Sequence, residues 1–209
     1  MTTLKFITTF LLIALCSCGQ NSTKHKVDPA AVELNNKAMT LVQSIDNPDS
    51  STKAISLLDE ATNIDSNYFL GYNNKLMFYY QLKQFDKAIL TINKLIQLRP
   101  TAHDLYMMGG VLCERIGDTL SSKAYFQKSL AICNNVLDTI NTKDRDHDMF
   151  LLNKAINLIM LGDEFEGNQL LKKLYDSQTD DALKELTASF MNKSKKELLN
   201  SMTEDKYSH

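Results

Sequence analysis

One spacing constrains this chain more than anything else in it. Ala54, Ala88 and Ser122 stand 34 residues apart, and so do Leu58, Ile92 and Phe126, then Ala61, Leu95 and Ser129, then Ile64, Leu98 and Ile132. The stretches that precede these blocks share the same register: Ala38, Tyr72 and Tyr106 form one column, Val42, Leu76 and Gly110 a second, Ile45, Tyr79 and Cys113 a third. Inside each block the core-type residues recur every three or four positions, the period of one helix face. Two such blocks per period make a helical hairpin, and a hairpin buries its apolar face only by stacking on its neighbours. Columns of small residues alternate with bulky ones, as they must where antiparallel helices approach to about 8–10 Å and large side chains fill the grooves beside the contact.

The columns resemble the tetratricopeptide repeat, W-x2-L-G-x2-Y…A-x3-F…P. Residues 69–102 carry the resemblance best, with Tyr72 in place of the Trp, Tyr79 for the Tyr, Ala88 for the Ala, Ile92 for the Phe, and Pro100 closing the unit. Lys75 and Leu76 depart from the Leu-Gly pair. In the following unit, 103–136, Tyr106, Gly110, Phe126 and the Gly117-Asp118 turn match, while Ser122 and Asn134 replace Ala and Pro. The first unit, 35–68, keeps Ala54, Leu58 and Ala61 but has Ala38 in place of an aromatic residue. The resemblance implies an all-α fold, a right-handed superhelical array of antiparallel helix pairs of the α-solenoid kind.

A fourth unit is expected over about 148–176, where Leu151, Ala155 and Leu158 resume the first-helix pattern and Gly162-Asp163 repeats Gly117-Asp118 after 45 residues. The 11 extra residues predict a helix prolonged through Ile132, Val136 and Ile140, then a polar loop over 141–148. The repeat domain thus spans 32–176. Beyond it, 177–209 is expected to supply capping helices through Leu183, Leu186, Phe190, Leu198, Leu199 and Met202 and then a frayed tail.

At the amino end Lys5 precedes an apolar run, Phe6 to Leu15, too short to span a bilayer as a stable helix, which predicts a signal peptide over 1–17. Leu15-Cys16-Ser17-Cys18 resembles the bacterial lipobox, and the resemblance implies a diacylglycerol-modified Cys18. Residues 18–31 are then a flexible tether. With Gly19 after the modified Cys and no acidic cluster beside it, the lipoprotein resemblance implies the outer membrane, facing the periplasm. Asp118-Thr119-Leu120 and Asp138-Thr139-Ile140 resemble the O-glycosylation signal of Bacteroidota envelope proteins.

The chain's 23 basic and 25 acidic residues leave a net charge of −2, without the basic patch that nucleic acid requires. Cys113 and Cys133 lie near the far ends of two antiparallel helices and are expected to be buried hydrophobes rather than a disulfide. Asp144, Asp146, His147 and Asp148 look like a cation loop, but the sixth and twelfth places counted from Asp144 are Met149 and Ala155 where an EF-hand has Gly and Glu. No phosphate-cradling glycine loop and no nucleophile–His–carboxylate spacing appears, so neither catalysis, a metal, a cofactor nor a small-molecule substrate is expected.

In the family resembled, first helices line the groove that takes a peptide. By register the lining here is Asn73, Met77 and Tyr80, then Met107, Val111 and Glu114, with Leu152, Ile156 and Ile159 further on. For each of these, contact with a neighbouring hairpin as ordinary core is the competing expectation. The sequence thus points to a lipid-anchored adaptor that binds a protein or peptide. The alternatives are an immunity or inhibitor protein that neutralises a toxin or hydrolase, and an accessory subunit of an envelope assembly.

Overall fold

A computed structural model describes residues 25–142, 144 and 146–203. The predicted leader and Cys18 lie outside the described residues. Within them are ten α-helices and no strand: α1 (Pro29–Thr40), α2 (Pro48–Ile64), α3 (Phe69–Gln81), α4 (Phe85–Leu98), α5 (His103–Ile116), α6 (Thr119–Leu137), α7 (His147–Leu161), α8 (Glu164–Ser177), α9 (Asp181–Phe190) and α10 (Lys195–Thr203). The chain divides at Pro100 into two compact units.

Several helices begin at side-chain caps. Asp28, Asn47, Asp118 and Asp180 each accept a hydrogen bond from a first-turn N–H, satisfying donors that have no partner inside the helix. Pro29 and Pro48 follow two of these caps, where a missing N–H costs nothing. Two first helices, α5 and α7, end in the same way. Gly117 (φ 82°) and Gly162 (φ 102°) adopt the left-handed conformation, and the next N–H, of Asp118 or Asp163, reaches back five residues to Cys113 or Leu158. At the end of α3 the same geometry recurs with Lys83 (φ 56°), which stands 34 residues before Gly117.

In the first unit α1 packs on α2, α2 on α3 and α3 on α4. Its core joins column residues to others outside the columns: Ala38, Ile45, Ala54 and Leu58 gather around Phe78, and Ala31 and Ala61 around Tyr68. The first helix starts at Pro29, inside the expected tether, and continues as a 3-10 turn over Leu41–Ser44. The residues just before it are held as well. His25 Nε2 lies 2.8 Å from both carboxylate oxygens of Asp65, and the Asp28 N–H donates to the same group at 3.1 Å. Burial raises the Asp65 carboxyl, but these bonds and the Asn67 N–H outweigh it, and the group sits below its ordinary value.

The second unit stacks α5, α6, α7 and α8 in order, with α9 on α8. Volume is exchanged across its first hairpin. A Cβ at Gly110 would come within 2.8 Å of the Phe126 ring, so the bulky residue in one column requires glycine in the other, where the first two units pair Val42 with Leu58 and Leu76 with Ile92. The inserted residues behave differently from expectation. Helix α6 stops at Leu137, and Ile140 lies in the turn that follows rather than in the helix. Thr139 turns its hydroxyl back onto the Val136 carbonyl at 3.1 Å, a local bond that competes with further helix.

Candidate functional site

The six groove residues predicted from register divide into two sets of different character. On α3, Asn73, Met77 and Tyr80 occupy one stripe at i, i+4 and i+7 and are partly exposed. Leu70, 49% exposed, prolongs the stripe at its amino end. Its floor is fixed by Asn74, whose amide donates to Asn35 Oδ1 of α1 at 2.8 Å, and by Met77, which packs partly against the Ala38–Phe78 core. Tyr80 is steadied edge-on by Phe85, with ring centroids 5.7 Å apart. The result is a neutral strip of amide, thioether and phenol on a braced helix.

The opposite side of α3 is a rigid seam. Lys75, at the place where the repeat pattern has Leu, is buried, yet its ammonium meets Asp59 Oδ1 at 2.6 Å and Thr62 Oγ1 at 2.7 Å and lies 4.9 Å from the centre of the Tyr72 ring. A charge in that position is tolerated because every side of it is answered. Lys94 over Tyr72 and Arg99 over Phe69 add cation–π contacts that bind α4 to α3.

In the second unit the expected lining is not open. Met107 and Val111 are buried in a single apolar cluster with Phe126, Leu152, Ile156, Ile159 and Leu198, and the competing expectation of ordinary core holds for them. Glu114 is only 11% exposed and engaged twice, accepting from Ser122 Oγ at 2.9 Å and from Lys195 Nζ at 2.7 Å. The register placed all three on first helices correctly. What it could not show is that the carboxyl-terminal helix α10 folds back to contact α5 and α7.

Several other chemistry-bearing side chains make local structural contacts. Asp148 bonds His147 Nδ1 and the Gln178 amide, and Asp144 accepts from the Asp146 N–H. Among the described residues no group of three or more His, Cys, Asp and Glu side chains converges on a metal position. Cys113 and Cys133 are free, buried thiols, pushed by burial up to about 11 and about 12, far from a reactive thiolate at neutral pH. His103 is buried with an edge-on contact to Phe150 at 4.8 Å, its Nδ1 has no hydrogen-bond partner, and burial pushes the imidazole down to about 4. It is a neutral core residue at physiological pH.

The fold defines a tetratricopeptide-like array of helical hairpins. A comparison with known families agrees with that class. Residues 71–101, which include nearly all of the α3–α4 hairpin, match the tetratricopeptide repeat family. No curated protein sequence matches the chain. Among solved structures it is similar to the crystal structure of PilW, a widely conserved type IV pilus biogenesis factor, at 21% identity and a TM-score of 0.49. That match covers 73% of this chain and 64% of PilW, so the chain spans less than two thirds of that protein's length.

Proposed function

We propose that this chain is a non-catalytic adaptor that holds a polypeptide partner against the α3 strip of Asn73, Met77 and Tyr80 while a lipid on Cys18 keeps it at the envelope. The observation that carries the reading is the strip itself: partly exposed, uncharged and thioether-bearing, on a helix locked from behind by the Lys75–Asp59 seam. A flexible thioether adapts to apolar side chains of several shapes, and a fixed backbone lets that adaptation cost little ordering. The residues that would have to perform chemistry are buried, bonded in turns or scattered. The second half of the proposal rests on the lipobox-like Leu15-Cys16-Ser17-Cys18, since among the described residues no helix is long and apolar enough to cross a membrane. Several acyl chains, at about 0.8 kcal/mol per buried CH2, would hold the protein durably at the outer membrane, with the array facing the periplasm.

Both halves are open to experiment. Changing Met77 and Tyr80 together to Glu abolishes capture of the native partner on immobilised protein while helicity by circular dichroism stays unchanged; undiminished capture by a folded variant removes the strip from the account. Cys18→Ser releases the protein from the membrane pellet into the soluble envelope fraction, and continued sedimentation with membranes contradicts the anchor.

A further inference from the structure

The carboxyl-terminal helix does not prolong the stack. After α9 has packed on α8, the chain turns through Asn192 (φ 58°) and lays α10 on α5 and α7, the first helices of the two hairpins in the second unit. This is the face on which the α3 strip lies in its own unit. The seat is specific in both charge and shape. Lys195 Nζ meets Glu114 Oε1 at 2.7 Å, and three residues further on Leu198 is completely buried in the cluster that holds Met107 and Val111. Leu199 and Met202 pack against the same cluster. Positions 195, 198, 199 and 202 are the i, i+3, i+4 and i+7 of one helix face, the pattern by which an amphipathic helix enters a groove.

We infer that this face of the second unit is a receptor for a short amphipathic helix carrying a basic residue followed at +3, +4 and +7 by large unbranched or γ-branched aliphatic residues. In the resting chain α10 is its occupant, and a partner helix of the same chemistry takes its place. The inference extends the adaptor reading to a second, internally occupied site and names the kind of polypeptide that fits it. Three features make α10 an exchangeable ligand. It has nine residues, fewer than a helix needs to persist alone in water. Among its residues 195–202, only Leu198 is fully buried. Its connection is clipped at a few points, by Asn168, whose side chain accepts from the Asn192 N–H at 2.6 Å and donates to the Lys193 carbonyl at 3.1 Å, and by Glu164, which accepts from the Lys195 N–H at 2.8 Å. Tethering gives α10 a high effective concentration, so a competitor sees the face only for the fraction of time it is open.

The test uses the full chain and a fluorescent synthetic peptide with the sequence of residues 191–203. Leu198→Asp unseats the chain's own helix, which hydrogen exchange reports as faster exchange over 195–203 with the α5–α8 amides unchanged. The peptide then binds the L198D chain saturably and the wild-type chain at least about tenfold more weakly, by anisotropy. A peptide with Glu in place of Lys195 loses the affinity and regains it on an L198D chain that also carries Glu114→Lys. If L198D loses the α5–α8 protection, Lys195→Glu serves as the milder opening variant, with the same expectations. Equal affinity for wild type and variant, or no binding to an opened and otherwise intact chain, overturns the inference. So does a wild-type dimer that dissociates on L198D, which assigns the face to α10 of a second copy. Because the peptide and the face both belong to the second unit, failure here leaves the Met77–Tyr80 capture result untouched, and failure there leaves this one standing.

Discussion

Individual side chains show how firmly burial outranks chemical type in this molecule. His103 keeps a ring nitrogen without a hydrogen-bond partner in a nearly dry setting, which disfavours its protonated form. The consequence is a pH dependence with a definite sign. Above about pH 6.5, the ordinary histidine value, the ring is neutral in both folded and unfolded chains and adds no slope. Between about 6.5 and about 4 the unfolded chain takes up a proton that the folded chain refuses, so stability falls as pH falls, and below about 4 the loss levels off. At about 1.4 kcal/mol per pH unit the whole window is worth on the order of 3 kcal/mol. His103→Phe keeps the contact with Phe150 and removes the proton site. Urea titrations at pH 7 and pH 4.5 are therefore expected to differ by less in the variant than in the wild type; an unchanged difference contradicts the assignment. Lys75 teaches the complementary lesson: a charge was legible in the sequence as a departure from the repeat pattern, but the Asp59 and Thr62 that satisfy it belong to the preceding helix and follow from no motif.

At the scale of helices and turns the sequence was most transparent where the cause is local. The Gly-Asp turns after α5 and α7 follow from residue chemistry within a few positions, whereas the equally local Asp28 cap starts α1 inside the stretch expected to be a tether. The columns Ala54, Leu58, Ala61, Ala88, Ile92 and Leu95 are all buried, because hairpin stacking imposes one periodicity on all units. In the last column Ile64, the final residue of α2, is 48% exposed, whereas Ile132 lies buried within the longer α6. Lys83 was invisible to pattern reading, since nothing marks it as the residue that carries a left-handed turn in place of glycine. A non-glycine residue there is strained by about 1–2 kcal/mol, partly offset by the greater freedom glycine has when unfolded. Lys83→Gly is accordingly expected to raise stability by about 0.5–1 kcal/mol, seen as a higher melting temperature. A lower melting temperature would show that the lysine side chain contributes more than its backbone costs.

For the molecule as a whole, what the sequence could not reveal is long-range return. The 34-residue register identifies first helices, but whether their outer face stays open depends on where the chain goes after the repeats end. In the first unit the strip of Asn73, Met77 and Tyr80 remains partly exposed; in the second, Met107 and Val111 are buried and Glu114 is engaged by Lys195. Repeat register alone therefore identifies first helices and says nothing of which of their faces another part of the chain covers. The adaptor account turns on the α3 strip meeting a partner in the cell. The most direct measurement places a photo-crosslinking amino acid at Met77 and, as a control, at Leu90, a 69% exposed residue on the second helix of the same hairpin. The account predicts one discrete protein adduct of defined mass from position 77 and none from position 90. Equal labelling at both positions, or an adduct from position 90 alone, would contradict it.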